Sequence, residues 1–301
     1  MSRASRGIAL KIGSTLAFAL QYMSIKLAGD VPVGQIIFFR ASFAMIPILI
    51  LIFLTIGPRA ALRTQKPLLH LVRSLIGLTG MFLNFASLKL LPLADITGYN
   101  FVQPIFAVIL AAILLREQVG PYRGAAIVAA LIGVLLMLEP HGGLFAILAK
   151  GFSAGSALAL TSALIGAFVV IFIRQMSATE HGQTIVFYFM LTCATVGAIT
   201  MIWSHVPLTA DMTFWLILSG IFGGFGQMGL TFCYRHAEPS LLAPFDYLAM
   251  VWAVTLGYLV FAEVPENLVL IGTGIVIAAG SFIAWREHRL GREVASRAQS
   301  V

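Results

Sequence analysis

The chain has 301 residues, 59% of them hydrophobic and 10% charged, with a mean hydropathy of +0.97. That is far too little polar surface to cover a soluble globule of this length, so soluble enzymes and soluble binding modules are excluded and an integral membrane protein is implied. The formal charge of +7 comes from basic residues at the ends of apolar runs rather than on one soluble face, which fits an anionic leaflet and not a nucleic-acid partner.

Hydropathy and punctuation predict ten transmembrane helices, at 8–27, 33–56, 67–88, 92–115, 121–139, 151–173, 182–203, 212–234, 240–261 and 266–285. The fold class is all-α integral membrane. Arg3 and Arg6 precede the first span and Lys11 lies in its first turn, as in a signal peptide, but no small-residue cleavage site follows before Lys26, so this span is read as uncleaved. Ser14, Phe18 and Gln21 share one of its faces. Arg40 and Arg73 each lie about a turn and a half inside a span, where long side chains snorkel, so a structural role is favoured over a substrate-carboxylate role. In the third span Gly77, Gly80 and Asn84 follow i, i+3, i+7, a line on which glycines admit a neighbouring backbone and Asn84 adds donors and acceptors.

The fourth span, within LPLADITGYNFVQPIFAVILAAILLRE at 91–117, carries Asp95, Tyr99 and Gln103 at i, i+4, i+8, with Asn100 beside them. Pro104 has no N–H, so the carbonyl of Asn100 loses its partner. A polar stripe beside a freed carbonyl describes a helix facing water or ligand. The stretch recurs ungapped at 237–263 with an offset of 146, setting Phe245, Asp246, Tyr247 and Trp252 against Tyr99, Asn100, Phe101 and Phe106, and Glu263 against Glu117. The same offset pairs Gly77 with Gly223 and Gly80 with Gly226, and an offset of 148 pairs Lys26 with Arg174. Gln227 sits on the matching line of the eighth span. Asp246 stands six residues into the ninth span, about 9 Å deep, as a binder of a substrate amine, a proton carrier or an interfacial acid.

Two units are therefore expected: a five-helix repeat at 1–145, a second at 146–288, and a basic cytoplasmic tail at 289–301. Five is odd, so the second repeat enters the membrane from the opposite side and a shared site falls between the halves. With cytoplasmic termini, inside segments hold fourteen lysines and arginines and outside segments three, which sets the orientation in a plasma (inner) membrane.

Arg73, the segment GLTGMFLNFASLKLLPLADITGYNFVQPIFAVILAAILLRE, and Pro121 with Gly124 resemble the EamA-type fold of the drug/metabolite transporter superfamily. The resemblance covers nearly the whole chain, although Met250 replaces the proline expected late in the ninth span's motif. It implies a ten-helix secondary transporter, and the chain resembles the aromatic amino-acid exporters among its members. Importers of riboflavin-like or adenosyl compounds belong to the same superfamily.

The expected activity is export of small metabolites, foremost amino acids, through a cavity lined by spans 1, 3, 4, 6, 8 and 9. Uptake of a cofactor-like metabolite is the alternative, and a membrane enzyme or non-transporting scaffold the rival from another class. Candidate substrate-binding residues are Gln21, Asn84, Tyr99, Asn100, Gln103, Gln227, Asp246, Tyr247 and Trp252. Gly77, Gly80, Pro104, Gly223 and Gly226 are candidates for structural or hinge roles. No GxxxxGK[ST], HExxH or metal-spaced cysteine pair occurs, and no catalytic residue, metal or cofactor is expected. The expected partners are a substrate molecule and membrane lipids, with no nucleic acid and a monomer as the starting assumption.

Overall fold

The computed structural model describes residues 3–64, 66–103, 153–177, 179–236 and 248–279, with isolated positions between 105 and 136, at 245 and at 281–282. Among the described residues all regular structure is helical: α1 Arg3–Leu27, α2 Val33–Thr55, the short α3 Pro58–Leu62, α4 Pro67–Leu88, α5 Leu93–Asn100, α6 Ala154–Ser177, α7 Gly182–Thr200, α8 Ala210–His236, α9 Leu248–Phe261 and α10 Asn267–Ala279. Six of these are long and apolar enough to cross a membrane, while α9 and α10 are shorter apolar helices. The predicted span at 121–139 and the tail at 289–301 fall largely or wholly outside the described residues.

Glycine and proline set the boundaries. Past α1, Gly29 takes a left-handed φ of +76°, and Gly57 does the same past α2 at +75°, its N–H donating to Ile52 O at 2.8 Å. Pro32 and Pro92 occupy the caps before α2 and α5, and Pro67 opens α4, positions where a missing N–H costs nothing. At the end of α9 the left-handed residue is Ala262, with φ +54°, and the Glu263 N–H closes the turn on Gly257 O at 3.0 Å.

One predicted span is not continuous. Instead of running through 92–115, the helix stops at Asn100, passes through a turn at Phe101 and Val102, and resumes at Gln103. In that turn Phe101 N–H donates to Gly98 O at 3.1 Å and Val102 N–H to Tyr99 O at 3.0 Å, tightening the chain. The break falls where Pro104, itself outside the described residues, has no N–H to offer the Asn100 carbonyl.

The helices interlock across the two halves. α1 packs on α8 and, equivalently under exchange of the repeats, α6 packs on α4. The contacts of α2 with α8 and of α1 with α9 have the same kind of counterpart in α7 with α4 and α6 with α5, while α2–α7 and α5–α9 map onto themselves. Interdigitation of this kind buries the small-residue faces between halves and turns the bulky ones outward. Phe53 and Leu54 of α2 are 66% and 79% exposed, a belt that lipid covers.

Candidate substrate cavity

Between the two halves lies a cavity of about 560 Å³. Residues of α1, α2, α4, α5, α6, α7 and α9 line it, together with Phe101 and Gln103 at the helix break. Its two walls differ in chemistry. The first half supplies Gln21, Arg40, Arg73, Asn84, Asn100 and Gln103; the second supplies mainly Ile165, Val169, Phe189, Ala249 and Ala253.

The amides are held by one another and by the helix break. Asn84 donates from Nδ2 to Asn100 Oδ1 at 3.0 Å, tying α4 to the last residue of α5. Gln103 reaches α6, where a Cβ added to Gly166 would stand 2.7 Å from its Oε1. Glycine at 166 therefore gives that amide its room. Gln21 lies against α8 in the same way, 2.6 Å from the Cβ position of Gly223. Gln21 Oε1 and Asn84 Oδ1 are buried without a hydrogen-bond partner, and both residues line the cavity.

Sequence reasoning favoured a structural, snorkelling role for Arg40 and Arg73. Both instead line the cavity and are only 7% and 5% exposed. Arg40 approaches Met81 Sδ at 2.9 Å and lies 5.7 Å from the Phe85 ring centroid; Arg73 sits 4.2 Å above the ring of Phe189. Arg40 Nε and both Nε and Nη1 of Arg73 have no hydrogen-bond partner. A cation–π contact returns about 2 kcal/mol when desolvated, against a burial cost of several kcal/mol per ion. Rings alone do not offset that cost, and no carboxylate occurs among the described lining residues. The sequence signal was available: two arginines within spans and no acid at a matching depth in the first half.

Other expectations move away from the cavity. Tyr99 is fully enclosed, its hydroxyl 3.1 Å from Ser156 Oγ, and does not line it. The i, i+4 stripe fails between Tyr99 and Gln103 because the turn at Phe101–Val102 ends helical periodicity there. Gln227 faces a separate small pocket beside Ile48 and Gln183, so α8 is a second layer behind α1, and α2 and α7 take its expected place in the wall. Trp252 stands one residue back, its indole N–H donating to Thr15 Oγ1 at 3.3 Å, and Thr15 does line the cavity. Asp246, Tyr247 and Pro104 lie outside the described residues.

The proposed structural glycines all sit at close helix approaches. A Cβ at Gly80 would meet Ile165 at 3.0 Å, at Gly77 Phe189 at 3.1 Å, and at Gly226 Phe18 at 2.9 Å, with Gly223 opposite Gln21 as above.

Two interlocked repeats of apolar helices around a two-faced cavity define a membrane transporter. The chain belongs to the EamA-like transporter family, whose model matches it twice, over residues 5–139 and 153–285. It is 28% identical over 276 residues to the pseudopaline exporter CntI of Pseudomonas aeruginosa, covering 91% of this chain and 94% of that one. A riboflavin transporter of Rhizobium johnstonii is also 28% identical, over 98% and 96% of the two chains. An S-adenosylmethionine uptake transporter of Rickettsia prowazekii is 27% identical over 85% and 84%. A solved crystal structure superposes with a TM-score of 0.66 at 20% identity over 95% of this chain and 99% of its own, which shows the fold alone. The family expectation is borne out; the narrower likeness to aromatic amino-acid exporters is not, since these relatives' names concern other compounds.

Proposed function

We propose that the protein is a secondary transporter that carries a small amphipathic metabolite through the central cavity by alternating access, with export of amino acids as the leading activity. The observation that carries this reading is the cavity itself, set between the repeats and walled by amides and guanidiniums on one side and apolar side chains on the other. In this reading Gln21, Asn84, Asn100 and Gln103 contact substrate, Trp252 supports the wall through Thr15, and Asp246 and Tyr247 keep the roles their repeat positions suggest. The repeats span 1–145 and 146–288, and both termini face the cytoplasm of a plasma (inner) membrane, as the distribution of lysine and arginine favours.

Uptake of a larger metabolite is the second reading, favoured by the riboflavin and S-adenosylmethionine carriers among the relatives. Counterflow in proteoliposomes separates the two by substrate: purified protein is loaded with unlabelled amino acids, riboflavin or S-adenosylmethionine, and entry of the labelled compound is followed. Amino-acid counterflow supports the leading reading. Counterflow of riboflavin or S-adenosylmethionine alone supports the second, and no counterflow with any of them contradicts both.

A further inference from the structure

Among the described lining residues the guanidiniums and amides come from the first repeat. Under the internal offsets Gln21, Arg40, Arg73, Asn84 and Gln103 correspond to Val169, Tyr188, Ser219, Leu230 and Ala249, and Asn100 to Asp246, which lies outside the described residues, so neither arginine has a charged counterpart in the second half. The serine and glycine contacts that hold α1 to α8 and α6 to α4 recur in both halves. The arginines do not, and they face the cavity.

Arg40 comes from α2 and Arg73 from α4, and both line the one cavity. Each retains at least one N–H with no protein acceptor, in a wall that offers no carboxylate among the described residues. A guanidinium fork matches an oxyanion with two parallel hydrogen bonds, and a buried cation without a partner is relieved by a ligand that brings one. We infer that Arg40 and Arg73 are the substrate's anion site, and that the transported metabolite carries a carboxylate held by the first repeat and an apolar body laid against Ile165, Val169 and Phe189 of the second. This rests on the transport reading above and names the class of compound within it.

The test uses the full chain in proteoliposomes and a fixed panel: labelled L-phenylalanine, L-tryptophan, L-glutamate and 3-phenylpropionate, each beside its primary amide, with riboflavin as a probe that has no carboxylate. The expected result is that at least one acid exchanges about tenfold or more faster than its amide, the scale of a charged hydrogen bond made or lost. Arg40→Gln and Arg73→Gln should reduce that acid-to-amide ratio to about twofold or less, and Arg73→Lys should restore part of it. The wild-type ratio needs no variant to fold; for the variants, an unchanged monodisperse elution profile shows that they do. Acids and amides exchanging equally, or riboflavin exchanging while every acid fails, would overturn the anion site and leave transport standing. No exchange of any compound would remove the transport reading, and this inference with it.

Discussion

Ser14 donates its hydroxyl to the carbonyl oxygen of Gly226 at 2.7 Å, and the same bond is made a second time, by Ser162 to Gly80 at 2.9 Å. Ser162 is Ser14 advanced by 148 and Gly226 is Gly80 advanced by 146, so the internal duplication repeats down to a single hydrogen bond. Each serine pins a helix of one half to a glycine of the other, where the lack of a side chain lets the backbones meet.

Equivalent bonds should carry equivalent energies. Ser14→Ala and Ser162→Ala are each expected to cost about 1 kcal/mol, because a buried carbonyl keeps its helical bond but loses its second donor. For a chain of this size that is a fall in Tm of about 2–4 °C, measured on the protein in detergent, and the double variant should show the sum because the sites share no partners. A large effect at one site and none at the other would mean that the two halves are not held in equivalent ways.

Gln103 and Tyr99 should separate function from stability. Gln103→Ala removes a cavity amide and is expected to lower exchange severalfold with Tm nearly unchanged. Tyr99→Phe removes a buried bond to Ser156 and should lower Tm by an amount reflecting about 1 kcal/mol while leaving substrate affinity in place. Ile46, 51% exposed on α2, serves as the lipid-facing control for alanine.

Packing predictions follow from the glycines. A Cβ at Gly197 would fall 2.8 Å from Phe38 N and 2.9 Å from its Cα, backbone atoms of α2 that cannot rotate away. Gly197→Ala should therefore push α7 from α2 and destabilise by about 1–3 kcal/mol. At Gly274 of α10 nothing lies within 4 Å, so Gly274→Ala should raise Tm slightly through helix propensity, by about 0.5–1 kcal/mol. Thermal melts of the two variants give opposite signs if the close approach is real.

At the end of the bundle opposite the N-terminus, Lys26 pairs with Glu263, whose other oxygen accepts the Leu93 N–H at 3.1 Å. The last turn of α1, the start of α5 and the end of α9 are thus tied at one point. The pair is about one-fifth exposed, so about 1 kcal/mol is the most it contributes. Lys26→Met should shift the conformational balance about fivefold toward opening on this face. The check is faster maleimide labelling from that side at a cysteine placed in the cavity wall; an unchanged rate would make the pair an ornament of the closed end.

How much of this was legible in the sequence depends on the distance over which each signal acts. The described spans and the duplication were readable because hydropathy and offset stand in the sequence itself, whereas the break before Pro104 was not read, since the freed Asn100 carbonyl was placed inside a continuous span at 92–115. Asn84, Asn100 and Gln103 were readable as cavity residues. Tyr99 was misplaced because a helical stripe was extended across a turn, and Gln227 because a glycine line shows that helices meet without showing which of two layers faces the ligand. Arg40 and Arg73 were expected to snorkel because that is the usual fate of an arginine near a helix end. Only the packing of α7 over both shows that they turn inward.

The central claim is that the cavity between the repeats is the path, open to one side at a time. It is tested most directly with Ala249→Cys in a chain whose Cys193 and Cys233 are replaced by alanine, because Ala249 lines the cavity and is small. In vesicles of known orientation, an impermeant maleimide should label residue 249 from each side in separate experiments, and saturating amounts of a compound shown to exchange should slow both reactions. Labelling from neither side, or from both without any effect of that compound, would contradict the account.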